Sequence, residues 1–455
     1  MLTTRNPATG EVLQTYDELG SSEIEAALAR ARSVFDDWRL SGLDRRAALL
    51  DRLAEVFDAN AERLARQATL EMGKTIASAR AEVRKCAALF RHLAQEGPAM
   101  LAEERWTLVD GGTARGVWLP LGPVLAVMPW NFPYWQVARF MGPAILAGNV
   151  GLLKHASIVQ GCAALIEEMA IEAGAPAGLF ANLPIGSGPV ADIIADDRIA
   201  AVTLTGSEGA GRAVAGAAGK ALKKVVLELG GSDPFIVMPS ADMGAAVEAA
   251  VKARIQNTGQ SCICGKRMIV EASVYDAFLD RFSTAMRAVK AGDPFDDATD
   301  MGPLSRFEQR DTVIQQLEKA RQEGASLLFG GEALDRPGAF MSAGVLTDVP
   351  LDSETAREEI FGPVAQVYRA EGIDDVLRIA NAIPYGLGSA VFTQDETEKA
   401  CFVRDIEAGM TAFNQILASA PEAPFGGIKR SGHGRELSRH GLHEFMNLKT
   451  VMESA

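Results

Sequence analysis

The strongest constraint on the fold is an alternation of strand-like and helix-like segments between residues 115 and 231. Runs rich in Val, Leu and Ile are separated by segments in which apolar residues recur at helical spacing. The strand-like runs are VLAVMP, NVGLLKHA, LFANLPIG, IAAVTLTG and KKVVLELGG. Strands that alternate with helices form a parallel sheet with helices on both faces. The pattern therefore predicts an α/β fold.

Two further regions extend this unit. Residues 21–105 are predicted to be helical, with Ser21 or Ser22 as the N-cap of the first helix. A second α/β block runs from about residue 232 to 429 and contains the strand candidates DPFIVM, KRMIVEA, SLLFGG and SAVFTQ. The chain closes with a short strand candidate, NLKTVM. A terminal strand separated from its own sheet is typical of pairing with another subunit.

The composition of the chain limits the binding partners and the cellular compartment that can be expected for the protein. A net charge of −14 and a pI of about 5.0 argue against a polyanion-binding surface, so no nucleic-acid partner is predicted. No apolar run reaches the roughly 18 residues that a membrane span needs, and the N-terminus lacks the layout of a signal peptide. Five cysteines, sparse and odd in number, are typical of a reducing compartment. We therefore expect a cytoplasmic protein without membrane association.

The stretch NTGQSCICGKR carries Cys262 and Cys264. A zinc site would need a second ligand pair, but the other cysteines stand alone and none lies near His440 and His443, so no metal is predicted. Glycine-rich backbone and the positive charge of the following GKR favour a reactive thiolate at Cys262. Free cysteines are also common in protein cores, so the stretch alone leaves a nucleophile and a buried thiol open.

Two polar residues follow predicted strands. Asn131 lies between the prolines of PWNFP, where its amide can donate to a developing oxyanion or bond its own backbone in a rigid turn. Glu228, in LELGG, ends an apolar strand. It is either a general base or a carboxylate on the solvent face of that strand.

Three other stretches point to a nucleotide site. Gly206 and Ser207, in LTGSEGAG, would offer backbone N–H groups to a phosphate at a helix N-terminus, although Ser207 also suits an ordinary N-cap. Lys154, in LLKHAS, can hold ribose hydroxyls or remain solvated. In EEIFGPV, Glu359 can accept hydrogen bonds from a ribose and Phe361 can pack beside a flat ring, or the stretch is simply a loop. None of these stretches is decisive alone.

The combination resembles one family, the aldehyde dehydrogenases. PWNFP, LTGS, LELGG, GQSC, EIFGPV and PFGGIKRSG occur in that family's order and approximate spacing over nearly the whole chain. Within the family, the chain looks most like the short bacterial succinate-semialdehyde dehydrogenases. The resemblance implies two parallel-sheet α/β domains and a β-strand oligomerisation flap, and hence a homodimer or homotetramer. The expected segments are 1–105 and 123–229 for the cofactor-binding domain, 230–429 for the catalytic domain, and 106–122 with 430–455 for the flap.

The resemblance also implies a site and a reaction. Cys262 would be the nucleophile, Asn131 would form an oxyanion hole with the Cys262 backbone N–H, and Glu228 would activate water. The expected reaction is NAD(P)-dependent oxidation of succinate semialdehyde to succinate through a thiohemiacetal and a thioester. A broader range of short or aromatic aldehydes is the alternative. The implied cofactor-binding residues are Trp130, Lys154, Ser157, Gly206, Ser207, Glu359 and Phe361.

Departures from the family's pattern bear on specificity. Ser157 stands where NAD-preferring relatives often carry a glutamate. A hydroxyl can donate to a 2′-phosphate that a carboxylate would repel, so NADP is the expected cofactor and NAD the alternative. His155, beside Lys154, is expected to add positive charge. Gln256 stands where many longer succinate-semialdehyde enzymes have an arginine, so one carboxylate anchor is missing.

Three residues complete the predicted site. Arg139, in WQVARF, is the expected partner of a substrate carboxylate, with a surface salt bridge as the alternative. Ser419 lies in the loop that lines the family's substrate entrance. Cys264 is expected either to form a reversible disulfide with Cys262 that blocks the nucleophile or to be a small packed residue.

Other activities remain as competing hypotheses. A CoA-acylating relative would often lack the LELGG glutamate, so Glu228 argues against it. A thiol hydrolase acting without a nucleotide would need a histidine base, and no histidine lies near PWNFP, LELGG or GQSC, whereas His155 lies beside Lys154. A catalytically silent protein on this scaffold is disfavoured because Cys262, Asn131 and Glu228 are all present.

Overall fold

The structure is a computed structural model and describes residues 1–454. The helices are α1 Ser21–Trp38, α2 Leu43–Ala59, α3 Ala61–Met72, α4 Ile76–Met100, α5 Trp135–Ala147, α6 Gln160–Glu172, α7 Val190–Ala195, α8 Glu208–Lys220, α9 Met243–Ile255, α10 Ala272–Arg287, α11 Phe307–Gln322, α12 Glu354–Arg357, α13 Gly372–Asn381, α14 Glu396–Asp405 and α15 Ser438–His443. Short 3-10 helices cover Ser157–Val159 and Gln256–Gly259. The strands are β1 Leu2–Arg5, β2 Val12–Tyr16, β3 Glu104–Thr107, β4 Thr113–Pro120, β5 Pro123–Met128, β6 Val150–His155, β7 Phe180–Asn182, β8 Ala201–Thr205, β9 Lys224–Glu228, β10 Pro234–Val237, β11 Arg267–Glu271, β12 Ser326–Phe329, β13 Gly344–Thr347, β14 Val364–Ala370, β15 Tyr385–Gly386, β16 Gly388–Phe392, β17 Met410–Phe413, β18 Ile428–Lys429, β19 Gly432–His433 and β20 Met446–Glu453.

A six-stranded sheet with the order β19-β9-β8-β5-β6-β7 organises the first α/β unit. All neighbouring strands in it are parallel except β19, which runs antiparallel to β9. Every residue of β8, including Thr203 and Thr205, is buried because helices pack against the sheet, so the strand does not alternate between buried and exposed positions. Helices α1 to α8 share one continuous apolar core with this sheet.

A seven-stranded sheet with the order β12-β13-β14-β11-β10-β16-β17 organises the second unit. Only β12 is antiparallel to its neighbour. Successive residues of a strand point to opposite faces. Accordingly, Ile236 enters one apolar core while Phe235 and Val237 enter the core on the other face. The predicted α/β class is confirmed, although the sequence analysis left β13, β14, β17 and α11 to α14 unassigned.

A separate antiparallel sheet joins two distant parts of the chain in the order β20-β4-β3. Its register runs from Met446 opposite Pro120 to Glu453 opposite Thr113. The predicted flap segment 430–455 is divided by the structure, because Gly432 pairs with Glu228 of the six-stranded sheet and only the last strand reaches β4. The roles expected for the three parts of the chain remain predictions.

None of the helices within residues 1–454 combines the length and the apolar character that crossing a bilayer requires.

Candidate active site

A cleft of about 440 Å³ opens at the carboxyl edge of the six-stranded sheet. In doubly wound sheets, ligands bind at this edge where the strand order reverses. Here the reversal lies between β5 and β8, since the chain builds β6 and β7 on one side of β5 and β8 and β9 on the other. Residues at or just beyond the carboxyl ends of these strands line the cleft, among them Trp130, Asn131, Lys154, Gly206, Ser207 and Glu228.

Lys154 is the cation that the sheet itself places in this cleft. It is the penultimate residue of β6 and is half-buried, and burial lowers the pKa of its ammonium group. The ammonium group forms no ion pair and no hydrogen bond with any other residue in the described range 1–454. Ser157 begins the 3-10 helix just beyond it and is also half-buried. A free cation and a hydroxyl at this point suit a phosphorylated ribose.

The turn after β8 differs in detail from the sequence prediction. Ser207 is the N-cap of α8, and its hydroxyl accepts a hydrogen bond from the Ala210 backbone N–H at 3.3 Å. The Gly206 N–H, expected to be free for phosphate, instead donates to the Glu228 carbonyl at 3.0 Å. The free donors of this turn therefore belong to the first residues of α8, whose N-terminus faces an anion favourably.

The opposite wall of the cleft comes from the second unit. Phe361 meets Trp130 edge-to-face, with 5.7 Å between ring centroids. Glu359 lines the same cleft, and its carboxylate pairs with the buried Lys266 ammonium at 3.0 Å. Arg306 and Gln309, which the sequence analysis did not single out, also line the cleft.

The prediction that His155 adds positive charge is wrong. His155 is fully buried, and its Nε2 lies 2.9 Å from the Pro133 carbonyl oxygen. Burial lowers its pKa to about 4, so the ring is neutral near pH 7. His155 supports the backbone of the Pro129–Pro133 turn rather than contributing charge to the cleft.

The loop that carries Cys262 is strained. Asn257, Thr258 and Gly259 all adopt left-handed backbone conformations, with φ of 54°, 58° and 73°. A side chain at residue 259 would collide with the backbone of Gly362, so this position requires glycine. A β-branched threonine in this region costs on the order of 1–3 kcal/mol. Such strain is commonly retained where a loop must hold a functional group in place.

Two polar contacts fix Asn131 against this loop. Its Nδ2 donates to the Gln260 carbonyl at 3.1 Å, and its own carbonyl accepts from Asn257 Nδ2 at 2.7 Å. Asn131 is buried, and one of its two amide hydrogens is left without a partner among residues 1–454. The alternative of a turn in which the asparagine bonds only its own backbone is therefore wrong. The remaining donor suits an oxyanion beside Cys262.

The Cys262 thiol lies in an electropositive but desolvated position. Burial raises its pKa to about 12, while the charges of Arg139 and Lys266 act in the opposite direction. Lys266 Nζ also donates to the backbone carbonyls of Ser261 and Cys262 at 2.9 and 2.7 Å. The positive charge predicted from GKR thus comes from Lys266. The resting group is a protonated thiol.

Glu228 is buried, which excludes the interpretation of a solvent-facing carboxylate. Neither carboxylate oxygen has a hydrogen-bond partner among residues 1–454. Burial raises the pKa of this carboxyl well above its ordinary value, and the nearby carboxyl of Glu436 raises it further. An unpartnered carboxyl with a raised pKa, facing a cleft, suits a general base.

A second cavity, of about 160 Å³, adjoins the first at Cys262. Cys262 and Gln136 line both cavities, so the thiol lies at their junction. The remaining lining residues include Glu82, Lys85, Phe132, Trp135, Arg139, Gln256, Ser419 and Phe425. This cavity is the candidate substrate pocket.

Arg139 lines this pocket but has a carboxylate partner of its own. Its Nε pairs with Glu436 at 2.7 Å, and its guanidinium carbon lies 4.3 Å from the centre of the Phe425 ring. Arg139 is only 2% exposed, so the alternative of a surface salt bridge is wrong. Arg139 therefore has an ion-pair partner within the protein, and its role in binding a substrate carboxylate stays a prediction.

Ser419 lines the pocket as predicted, but its partners were not foreseen. Its hydroxyl accepts hydrogen bonds from Lys85 Nζ at 2.8 Å and from Trp135 Nε1 at 3.1 Å. Lys85 lies on α4, 334 positions away in the chain. No local signal marks it, because α4 has the pattern of an ordinary amphipathic helix.

Cys264 is buried and its thiol is free, as is that of Cys262. Its sulfur donates a weak hydrogen bond to the Gln256 carbonyl at 3.6 Å. A disulfide between these two cysteines remains a prediction. Residues 1–454 contain no group of three or more side chains arranged to bind a metal ion.

A half-buried thiol, an amide donor and a carboxyl at a strand-edge cleft define a thiol enzyme on a nucleotide-binding α/β scaffold. The profile of the aldehyde dehydrogenase family matches residues 1–451. The chain therefore belongs to the aldehyde dehydrogenase family.

Similar proteins span the whole chain. Succinate-semialdehyde dehydrogenase [NADP(+)] 1 of Mycobacterium tuberculosis H37Rv is 51% identical over 452 residues, which cover 99% of each chain. Succinate-semialdehyde dehydrogenase [NADP(+)] of Mycobacterium leprae is 49% identical with the same coverage. The crystal structure of succinic semialdehyde dehydrogenase from Streptococcus pyogenes in complex with NADP⁺ is 37% identical, covers all of both chains and superimposes with a TM-score of 0.98.

Proposed function

We propose that this protein oxidises succinate semialdehyde to succinate with NADP as the hydride acceptor. The observation that carries the proposal is the position of Cys262 at the junction of a nucleotide-type cleft and a pocket containing cationic side chains. The names of the mycobacterial and streptococcal relatives support the same substrate and cofactor. We also propose a cytoplasmic homo-oligomer, supported by the edge strand β20, on which Leu448 and Met452 are exposed.

Cys262, Asn131 and Glu228 have different roles in the proposed reaction. The Cys262 thiolate adds to the aldehyde carbon, and the oxyanion that forms accepts hydrogen bonds from Asn131 Nδ2 and the Cys262 backbone N–H. A bound nicotinamide nucleotide supplies the hydride acceptor. Glu228 then takes a proton from the water that attacks the thioester of Cys262. Covalent catalysis is useful here because the thiohemiacetal is a better hydride donor than the free aldehyde.

The cleft fits a phosphorylated nicotinamide nucleotide. Lys154 is a cation without a protein partner, and Ser157, at the start of the next 3-10 helix, carries a hydroxyl instead of a carboxylate. Trp130 and Phe361 supply apolar surface, while the α8 N-terminus beyond Ser207 offers backbone donors to phosphate. Glu359 would break its ion pair with Lys266, and its carboxylate would then accept a hydrogen bond from a ribose hydroxyl.

A glutamate at position 157 should shift the cofactor preference toward NAD. In Ser157→Glu, the new carboxylate repels a 2′-phosphate, so kcat/KM with NADP should fall about 10- to 100-fold relative to that with NAD. Ser157→Ala is the matched control, which removes the hydroxyl without adding charge and should cause a smaller loss. The affinity for NADP, measured by quenching of tryptophan fluorescence, should be highest in the wild type, lower in Ser157→Ala and lowest in Ser157→Glu. An unchanged preference in Ser157→Glu would place the 2′-phosphate elsewhere.

The proposed reaction is tested by initial rates with succinate semialdehyde, propanal and benzaldehyde, each with NADP and with NAD. We expect the highest kcat/KM for succinate semialdehyde with NADP, because only this aldehyde carries a carboxylate for the cationic pocket. Reduced nucleotide is followed at 340 nm. Similar kcat/KM values for the three aldehydes would favour the broader-specificity alternative. No cofactor-dependent absorbance with any aldehyde would contradict oxidation altogether.

The competing activities have less support. The buried, unpartnered carboxyl of Glu228 favours release of the thioester by water rather than by CoA. His155, the histidine beside Lys154, is buried with a pKa of about 4 and is not placed as a base for a thiol hydrolase.

A further inference from the structure

Lys266 is a buried cation close to the Cys262 thiol. Its side chain is 1% exposed, and its Nζ donates to the backbone carbonyls of Ser261 and Cys262 at 2.9 and 2.7 Å. A third contact, at 3.0 Å, joins Nζ to the carboxylate of Glu359. The ammonium group is therefore held by the loop that carries the thiol, while a carboxylate from another part of the chain neutralises it.

The two members of this ion pair differ in their access to the nucleotide cleft. Glu359 lines the cleft and its side chain is 19% exposed, whereas Lys266 does not line it. The backbone of Glu359 is anchored, because its carbonyl accepts a hydrogen bond from Gln316 Nε2 at 3.2 Å. A change of partner by the carboxylate therefore needs only a rotation of its side chain. Lys266 stays in place, since two carbonyls still hold it.

Four charged side chains act on the Cys262 thiol. Burial has the largest effect and raises its pKa, the positive charges of Arg139 and Lys266 lower it, and the carboxylates of Glu359 and Asp233 raise it. Of these four, only Glu359 lines the nucleotide cleft. Arg139 and Asp233 therefore keep their positions when the cleft is filled, and Glu359 is the one charge that a nucleotide can displace.

We propose that Lys266 supplies the positive charge that favours the thiolate of Cys262, and that Glu359 masks this charge until a nucleotide draws the carboxylate away. The proposal rests on the proposed function, in which Glu359 accepts a hydrogen bond from ribose. Lys154 and Ser157 suit the ribose that carries the 2′-phosphate, so Glu359, which reaches Lys266 beside the thiol, suits the nicotinamide ribose. The proton that the thiol loses passes to the solvent.

The test is the rate at which iodoacetamide alkylates Cys262 at pH 8. The thiolate sulfur displaces iodide as the S–C bond forms and the C–I bond breaks, so the rate follows the thiolate fraction. All proteins in the test carry Cys264→Ala, and this single variant is the parent. The peptide that contains Cys262 then has one thiol, and mass spectrometry follows its alkylation. The reagent can enter through the substrate pocket, which Cys262 also lines.

Without nucleotide, Glu359→Gln should be alkylated about 3- to 10-fold faster than the parent. An unmasked cation lowers the pKa of a neighbouring thiol by about one to two pH units. Each pH unit raises the thiolate fraction tenfold but makes the thiolate less nucleophilic. Lys266→Met should react more slowly than the parent. Lys252→Met, at an exposed lysine of α9, is the matched control and should react at the parent rate.

The double variant Lys266→Met/Glu359→Gln separates the effects of the two charges. It removes the carboxylate and the cation together, so it should react more slowly than the parent. A double variant that reacts as fast as the parent, or faster, would show that loss of the carboxylate alone activates the thiol. That result would overturn the role of Lys266.

NADP should bring the parent to the reactivity of Glu359→Gln. Any covering of the sulfur by the nicotinamide ring slows both proteins, so the informative quantity is the rate of the parent divided by that of Glu359→Gln. This ratio should rise from about 0.1–0.3 without nucleotide to about 1 with saturating NADP. The fragment 2′,5′-ADP lacks the nicotinamide ribose and should leave the ratio unchanged.

The outcomes distinguish this proposal from the proposed function. If NADP does not bind, or no aldehyde reduces it, the proposed function fails, and the rates without nucleotide still decide whether Lys266 acts on the thiol. If NADP is reduced but the ratio stays constant, the coupling to nucleotide is overturned. Equal rates for the parent and Glu359→Gln without nucleotide overturn the masking. These comparisons remain decisive if Lys266→Met does not fold.

Discussion

Replacement of Cys262 by alanine is expected to abolish aldehyde oxidation. In the proposed mechanism the Cys262 sulfur forms the covalent bond to the aldehyde, and no other cysteine within residues 1–454 lines the two cavities that meet there. Removing the nucleophile of a covalent mechanism lowers kcat by on the order of 10⁴ or more. The measurement is the rate of NADPH formation with succinate semialdehyde. Nucleotide affinity should be retained, because the cleft is formed mainly by other residues.

The matched control for this loss is Cys264→Ala. Cys264 lies two residues away and is buried with its thiol bonded to the Gln256 carbonyl, so its loss should leave most of the activity. NADPH formation that survives in Cys262→Ala would mean that the aldehyde is oxidised without this thiol. Activity lost equally in both variants would point to a damaged loop rather than to a missing nucleophile.

The wild-type pH profile provides an independent check. Burial raises the pKa of Cys262 to about 12, so only a small fraction is thiolate at neutral pH in the free enzyme. This fraction increases as the pH rises toward the pKa. For an uncharged aldehyde such as propanal, kcat/KM should therefore increase between pH 7 and 9. A flat profile would mean that another group determines the reactive state of the thiol before the aldehyde binds.

The parts of the fold that local sequence determines were predicted well. Apolar runs such as β8 are buried on both faces, and their alternation with helices indicated the parallel sheet. Asn131 and Gly206 follow strands of this sheet, and Lys154 and Glu228 lie at the carboxyl ends of β6 and β9. Parallel strands bring their carboxyl ends to one edge, so these residues line one cleft although they are distant in sequence.

The features that the sequence analysis missed depend on contacts between distant segments. The Lys85–Ser419 hydrogen bond and the Arg139–Glu436 ion pair join residues with no shared local pattern. His155 follows a lysine in sequence, which suggested added charge, but its burial decides that the ring is neutral. Sequence reasoning identifies residue types near a site, whereas burial and pairing determine which charges are available.

Replacement of Glu228 by glutamine is expected to stop the reaction after hydride transfer. Glutamine has nearly the same shape but cannot take a proton from water, so the thioester on Cys262 should accumulate. We expect kcat to fall about 10²- to 10⁴-fold, the usual contribution of a general base. A rapid-mixing experiment should still show a burst of about one NADPH per active site before the slow phase.

Two further observations decide whether Glu228 has this role. Hydroxylamine, which attacks thioesters without a base from the protein, should restore turnover in Glu228→Gln and yield the hydroxamate of the acid. A variant that lacks the burst would mean that Glu228 is needed at or before hydride transfer, for example to deprotonate Cys262. An unchanged kcat would mean that another group activates the water.

The environment of Glu228 also predicts the sign of its pH dependence. Burial and the neighbouring Glu436 raise the pKa of its carboxyl well above the ordinary value. The carboxyl is therefore protonated at low pH, and the basic form is gained as the pH rises through the raised pKa. Deacylation should accelerate over this range in the wild type, and Glu228→Gln should lose the dependence. Since Glu436 contributes to the raised pKa, and its removal leaves the positive charge of Arg139 unpaired, Glu436→Gln should shift this pH dependence to lower pH than in the wild type.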